Sequence, residues 1–62
     1  MENEIKVGDF INYGFYANIK VVGIDDFYYY LQDKGGNKRK VYKFLVDKWV
    51  TSVKRNDGIY KL

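Results

Sequence analysis

Turn-forming residues recur so often along this chain that no segment is long enough to build a helical core. They occur at Gly8-Asp9, Gly14, Asp25-Asp26, Lys34–Asn37 and Asn56–Gly58, and they divide 62 residues into short runs. The runs are rich in β-branched and aromatic residues, often in alternation with polar ones, which is typical of strands. Short strands at this spacing predict an all-β sandwich or a small barrel. A chain of this length has room for one domain, which we expect to span residues 1–62.

Alternation within the runs predicts which side chains face the interior. The first three runs each place a set of residues on one face, namely Ile11, Tyr13, Ala17, Ile19, Val21, Phe27, Tyr29 and Leu31. Gly23 predicts a bulge or kink, and Lys34–Asn37 predicts a hairpin in which Gly35 or Gly36 has a positive φ. Leu45–Trp49 does not alternate and predicts a single helical turn. Trp49 lies three residues after Val46, so we expect it to share a face with Val46 and pack on the core.

The order of these features resembles the SH3-like barrel, including its KOW-type and Tudor-type relatives. The resemblance covers about residues 5–54 and is carried by Val7-Gly8-Asp9 with Ile11, by Ala17–Ile24, and by Leu45–Val50. It implies a five-stranded barrel with one short helical turn before the last core strand. Residues 55–62 would then be a short C-terminal extension or an edge strand. Such barrels bind nucleic acids, peptides or protein surfaces, and the fold does not distinguish among these partners.

The chain has no cysteine and no histidine, so disulfides and the usual zinc ligand sets are excluded. Aromatic residues make up 19% of the chain and would have to supply most of the core. We expect no metal and no cofactor.

Glu2 and Glu4 stand where a signal peptide would be basic, and no apolar stretch approaches the length of a membrane span. These features predict a cytoplasmic protein without a membrane partner, and the richness in Lys, Asn, Ile and Tyr favours a bacterial or phage gene.

The residue inventory argues against catalysis. Without His or Cys, the commonest general base and the strongest thiol nucleophile are missing. Asp25 and Asp26 are paired carboxylates, but aspartate is also favoured in turns for its geometry. Thr51 and Ser52 have no evident base. We therefore expect a non-enzymatic binding module with no catalytic residues and no small-molecule substrate.

The charge distribution is uneven along the chain. The formal net charge is +3, but residues 1–33 carry −4 and residues 34–62 carry +7. Such asymmetry predicts a polyanionic or acidic partner. The alternative is that acidic and basic strands lie next to each other in the sheet and neutralise each other.

The principal candidate site is the basic segment after the glycine-rich hairpin. Alternation places Lys38, Lys40 and Tyr42 on one face of a strand and Arg39 with Val41 on the other. A phosphate could approach the hairpin tip, and Tyr42 could stack a base. Alternatively, these residues only protect a strand from edge pairing.

Two further aromatic pairs complete the candidate surface. Tyr28 and Tyr30 point away from the face of Tyr29, so we expect at least one of them to be exposed and available for stacking, although a strongly bent strand could bury both. Phe15 and Tyr16, in the predicted loop between the first two strands, are the second-choice contact site.

The sequence therefore predicts a module that binds nucleic acid or a nucleoprotein. The alternative is a protein–protein interaction module that binds an acidic surface, such as a phage inhibitor of a host or defence enzyme or a virion accessory protein. The oligomeric state remains open.

Overall fold

The computed structural model describes residues 4–55 and 58–61, which form six strands and one short helix. These elements are, in chain order, β1 (Phe10–Tyr13), β2 (Tyr16–Ile24), β3 (Tyr28–Gln32), β4 (Lys38–Tyr42), α1 (Lys43–Trp49), β5 (Val50–Arg55) and β6 (Gly58–Lys61). All six strands belong to one open antiparallel sheet with the order β4-β3-β2-β1-β5-β6. The all-β class is confirmed. The strand β6 lies at an edge, whereas the turn predicted at Asn56–Gly58 falls partly on residues 56 and 57, outside the described residues.

The core lies on one face of the sheet and beneath α1. Its buried members are Ile5, Ile11, Tyr13, Ile19, Val21, Tyr29, Leu31, Val46 and Val53. Six of the eight side chains that alternation assigned to the interior are among them, and Ala17 and Phe27 are the two corrections because both are exposed.

Local backbone geometry explains both corrections. Asn18 has a φ of 55°, and the β1–β2 register shifts near it, so the alternation of β2 is interrupted at Ala17. Phe27 lies in the turn before β3 and is 71% exposed. Side chains alternate between the two faces of a strand only where the backbone is regularly extended.

The predicted hairpin is present between β3 and β4. The amide of Gly36 donates to the carbonyl of Asp33 at 3.0 Å, and that of Asn37 donates to Asp33 Oδ1 at 3.0 Å. Gly36 has a φ of 86°, which an L side chain rarely adopts, whereas Gly35 does not have a positive φ. The prediction of a positive φ at one of the two glycines is confirmed.

The bulge predicted at Gly23 is also present. Between the pairs Val21↔Leu31 and Gly23↔Tyr30 the register of β2 against β3 shifts by one residue. The Tyr30 ring lies so close to Gly23 that a Cβ at this position would be only 3.3 Å from a ring carbon. The bulge bends a nine-residue strand and helps the sheet to curve.

The helix corrects the interpretation of Trp49. It begins at Lys43, two residues before the predicted turn, and Val46 is fully buried as its only buried side chain among those described. Trp49 is 54% exposed instead of packing on the core. Three residues rotate a helix by about 300° and advance it by about 4.5 Å, so the last residue projects past the end of the packed turn.

A side-chain latch ties the start of the sheet to the end of β5. Asp9 is only 4% exposed, and its carboxylate accepts bonds from the Lys6 amide at 2.8 Å and from Arg55 Nε at 3.0 Å. The Asp9 carbonyl also accepts from the Val21 amide at 2.8 Å. The Val7-Gly8-Asp9 segment thus has a structural role.

One contact shows how strongly the sheet curves. Arg39 on β4 pairs with Leu31, which pairs with Val21, and Tyr16 lies five residues before Val21 on β2. In a flat sheet these positions would be roughly 19 Å apart. The guanidinium carbon of Arg39 nevertheless lies 5.5 Å from the Tyr16 ring centroid. The length of the two side chains and the curvature of the sheet at the Gly23 bulge together allow this contact. Separately, no helix within residues 4–55 and 58–61 is long and apolar enough to cross a membrane.

Candidate nucleic-acid interface

The sequence predicts six first-choice contact residues, namely Tyr28, Tyr30, Lys38, Arg39, Lys40 and Tyr42. The hairpin β3–β4 brings five of them onto one outer face. Its register pairs Tyr28 with Tyr42, Tyr30 with Lys40, and Gln32 with Lys38. The five residues on this face are Tyr28, Tyr30, Lys38, Lys40 and Tyr42. Tyr28 and Tyr30 are both half-buried, and Arg39 projects from the opposite face, as alternation predicted.

The rings on this hairpin face contact one another. Tyr28 and Tyr42 stack with their centroids 4.7 Å apart, and Phe44 lies 5.5 Å from Tyr42. Lys40 Nζ lies 4.5 Å from the Tyr28 centroid. The neighbouring Tyr42 side chain is the main cause that raises the pKa of Tyr28. Much of the ring surface that a base would need is therefore already in contact with other side chains of this chain.

Asp25 adds a negative charge to the same face. Tyr30 donates to its carboxylate at 2.6 Å, and the amides of Phe27 and Tyr28 donate to it at 3.0 and 2.8 Å. These bonds, with that of Tyr30 the strongest contributor, hold the pKa of Asp25 below its usual value, while the bond to Asp25 raises the pKa of Tyr30. Asp25 has the turn-forming role that its position predicted, and its charge partly offsets that of Lys40.

A second basic feature crosses the whole sheet on its outer face. Successive register pairs connect one residue from each strand, in the order Lys38, Gln32, Lys20, Phe10, Lys54 and Ile59. We call this set the basic row. Its three lysines are exposed and stand on alternate strands, so their backbone positions are about 10 Å apart. No acidic residue belongs to the row.

A shallow pocket of about 300 Å³ adjoins the basic row. Phe10 and Lys54 of the row line it, together with Lys34 from the hairpin tip. Lys34 thus adds a further positive charge beside Lys54. Among the described residues, no three acidic side chains gather as a metal-ligand set.

Lys20 and Lys54 are candidate residues that sequence reasoning missed. Their outward orientation could have been inferred, because each is adjacent to a buried valine in a strand. Their alignment with Lys38 could not, since it depends on the pairing of β1 with both β2 and β5. The last of these strands lies about forty residues after the first.

The second-choice pair lies at the other end of β1. Tyr13 pairs with Tyr16, leaving Gly14 and Phe15 as a two-residue turn. Gly14 has a φ of 54°, as expected for glycine at the first central position of a type II′ hairpin turn. This geometry projects Phe15 from the tip, where its side chain is fully exposed.

Phe15 and Trp49 form two walls of an apolar groove of about 590 Å³. The remaining lining residues are Tyr13, Gly14, Tyr16 and Thr51. The amide of Gly14 donates to the carbonyl of Trp49 at 3.1 Å and fixes the turn against the end of α1. Tyr13 and Tyr16 form the floor, with ring centroids 5.3 Å apart, and burial raises the pKa of Tyr13.

Two cations flank this aromatic groove. Arg39 lies 5.5 Å from the Tyr16 centroid, and Lys48 Nζ lies 5.4 Å from the Trp49 ring. Arg39, the sixth first-choice residue, therefore joins the second-choice pair instead of the hairpin face. The structure thus divides the predicted residues between two surfaces.

Comparison with known proteins gives no further guide to these surfaces. No protein-family model, curated protein or solved structure matches the chain. The interpretation of the site therefore rests on its geometry and charge.

Proposed function

We propose that this chain is a non-enzymatic module that binds nucleic acid by contacting phosphates with the basic row. The observation that carries the proposal is the alignment of Lys20, Lys38 and Lys54 across the sheet without an acidic residue between them. Lysines neutralise phosphates and release counterions, and this process supplies most non-specific affinity for nucleic acid. Long flexible side chains about 10 Å apart can follow a backbone without reading its sequence.

The hairpin face extends this surface at the β4 edge. Lys38 belongs to both surfaces, and Lys40 lies two residues further along the same face of β4. Tyr28, Tyr30 and Tyr42 give this edge a half-exposed aromatic border, with Asp25 as its only acidic neighbour among the described hydrogen-bond partners of these tyrosines. We assign the main phosphate contacts to the row because its charges are not offset.

The proposal includes a finer description of the fold. We propose that the curved sheet is an SH3-like barrel formed by β1–β5, with α1 in the place of the helical turn before the last core strand. The contact between Arg39 and Tyr16 supports this description, because it brings β4 towards the start of β2. In this description β6 is an addition at the edge of the barrel.

The alternative function is binding to a protein, and the composition of the basic row favours nucleic acid over an apolar protein surface. The two exposed apolar residues of the row, Phe10 and Ile59, are separated by Lys54 and form no continuous apolar patch. Apolar protein interfaces need a contiguous desolvated centre. In the row, lysines alternate with uncharged residues, and this spacing of positive charge suits a phosphate backbone better than it suits an apolar protein surface.

The test is the salt dependence of binding to a labelled oligonucleotide, measured by fluorescence anisotropy. Replacing Lys20, Lys38 and Lys54 together with glutamine should weaken binding. It should also reduce the slope of log K against log salt by about 2, because each phosphate contact to a single strand contributes about 0.7. Lys43→Gln is the matched control, since Lys43 begins α1 and lies outside the row. The slope measured with Lys43→Gln should differ from that of the parent by less than about 0.7, the contribution of one phosphate contact.

Two results would overturn the proposal. One is the absence of binding by the parent chain at low salt to both single-stranded and double-stranded oligonucleotides. The other is an unchanged slope in the triple variant while circular dichroism shows that it is folded. Either result would favour the protein-partner alternative.

A further inference from the structure

The aromatic groove beside the β1–β2 turn is not used by the phosphate contacts of the basic row. Phe15 is the most exposed large apolar side chain among the described residues, and Trp49 is 54% exposed. Exposed apolar side chains that lie together around one groove mark a candidate interaction site.

The occupant should present a flat apolar surface. Phe15 and Trp49 stand on opposite sides of the groove, and Tyr13 and Tyr16 form its floor. The hydrogen bond between the Gly14 amide and the Trp49 carbonyl holds the backbone of the turn against the end of α1. An aromatic groove favours a planar group, since stacking uses the faces of several rings.

The occupant should also be anionic. Arg39 and Lys48 lie over two of the groove's rings, and no acidic residue is among its described lining residues. A cationic ligand, which aromatic slots otherwise attract, would be repelled by both charges. A flat group attached to a negative backbone satisfies both requirements, and an unpaired nucleotide has this combination.

The groove lies where β1 ends, on the side to which Arg39 projects, and the basic row crosses the outer face of the same strand. Gly14 of the groove follows β1 directly and lies four residues after Phe10 of the row, at most about 13 Å along the chain. The surface between them is polar: Asn12 Nδ2 donates to Ser52 Oγ at 3.0 Å, and Asn12 Oδ1 accepts from the Asn18 amide at 2.8 Å. A few nucleotides of a single strand span this distance.

We infer that the aromatic groove stacks an unpaired base of a single strand whose phosphates continue onto the basic row. This inference rests on the proposed function and narrows its substrate class to single-stranded nucleic acid. A duplex keeps its bases stacked within the helix and cannot offer one to the groove without unpairing it.

The only tryptophan of the chain provides a direct readout. Trp49 fluorescence is followed during titration with a 12-nucleotide oligothymidylate, an abasic strand of the same length and a 12-base-pair duplex, all at low salt. The oligothymidylate should quench the emission and bind about 5- to 150-fold more tightly than the abasic strand, the range expected for one stacked base. The abasic strand and the duplex should bind without comparable quenching.

A matched pair of variants isolates the groove. Phe15→Ala removes a fully exposed wall and should abolish most of the preference for oligothymidylate over the abasic strand. Phe27→Ala removes an exposed phenylalanine from the turn before β3, outside the groove, and should leave the preference unchanged. Both side chains are exposed, so both variants should keep the circular dichroism spectrum of the parent.

The outcomes separate this inference from the proposed function. Equal affinity for oligothymidylate and the abasic strand, with constant Trp49 emission, would overturn the groove inference while leaving phosphate binding intact. No binding of any strand at low salt would overturn both. Quenching by an acidic, tyrosine-containing peptide but not by oligothymidylate would overturn the assignment of a base and identify a peptide site.

Discussion

Val46 and Trp49 are three residues apart in the same short helix, yet one is fully buried and the other is half exposed. The difference arises because a seven-residue helix has little more than one turn to pack against a curved sheet. Val46 belongs to the core cluster beneath the helix, whereas Trp49 ends the helix beside the turn at Gly14. At this scale, the position of a residue relative to the end of its element decides burial as much as its hydrophobicity.

This difference predicts unequal effects of two truncations. Trp49→Ala should lose less unfolding free energy than a truncation in the core, because Trp49 is 54% exposed. Ile19→Ala should lose about 2–5 kcal/mol of unfolding free energy, since it leaves a cavity in the core. Thermal melts followed by circular dichroism measure both. A large loss of stability in Trp49→Ala would show that the groove walls also support the fold.

The latch between Asp9 and Arg55 gives a second prediction. Asp9→Ala removes the buried carboxylate that accepts from Arg55 Nε and from the Lys6 amide. The expected loss is about 3 kcal/mol, as for other buried pairs from which one partner is removed. Asp26→Ala, which removes an exposed carboxylate, is the control and should change the free energy of unfolding by less than about 0.5 kcal/mol. Urea denaturation measures the difference, and equal stabilities of the two variants would contradict the role of the latch.

Among the elements, the β3–β4 hairpin shows most clearly how turn chemistry determines backbone shape. Two adjacent glycines occupy the tip, but only Gly36 needs a left-handed conformation. A Cβ on Gly35 would meet only ordinary contacts, at 3.4 Å or more. The local sequence predicts the hairpin and one glycine with a positive φ, but it does not distinguish Gly35 from Gly36.

The two glycines should therefore respond differently to alanine. Gly36→Ala should destabilise the chain by about 1–2 kcal/mol, the cost of a left-handed conformation for a residue with a Cβ. Gly35→Ala should be neutral within about 0.5 kcal/mol, because it also restricts the unfolded chain. Chemical denaturation of the two variants side by side tests this. An equal loss at both positions would contradict the assignment of the strained residue.

At the scale of the whole molecule, the sequence predicts local features better than long-range ones. Three local predictions are confirmed: Ile11 and Tyr13 share one face, Gly23 forms a bulge, and Gly36 has a positive φ in the hairpin. Each follows from residues close in the chain. The basic row and the meeting of Arg39 with Tyr16 depend on strand order and curvature. These properties arise from pairing between distant segments, and a single sequence contains no direct signal for them.

The buried tyrosines make the stability of the whole domain sensitive to alkaline pH. Burial, with the nearby Asp47 carboxylate that accepts a bond from Tyr29 at 3.1 Å, raises the pKa of Tyr29 to about 12 from an ordinary value of 10.0. A raised pKa means that the folded chain favours the protonated phenol. The stabilisation is therefore complete below pH 10 and is lost as the pH rises through about 12. Burial also raises the pKa of Tyr13, which acts in the same direction.

We therefore expect the free energy of unfolding to fall between pH 10 and 12, with a contribution from Tyr29 of at most about 2–3 kcal/mol. Tyr29→Phe should be less stable than the parent at pH 8, because it loses the hydroxyl bond to Asp47, but its stability should fall less steeply above pH 10. Tyr16→Phe is the matched control, since it alters an exposed tyrosine at the end of the sheet, and it should follow the parent curve. The three proteins have the same lysines, so the difference between the curves isolates the buried phenol. Urea denaturation at half-unit steps of pH measures it, and parallel curves for Tyr29→Phe and the parent would show that ionisation of Tyr29 does not contribute to alkaline unfolding.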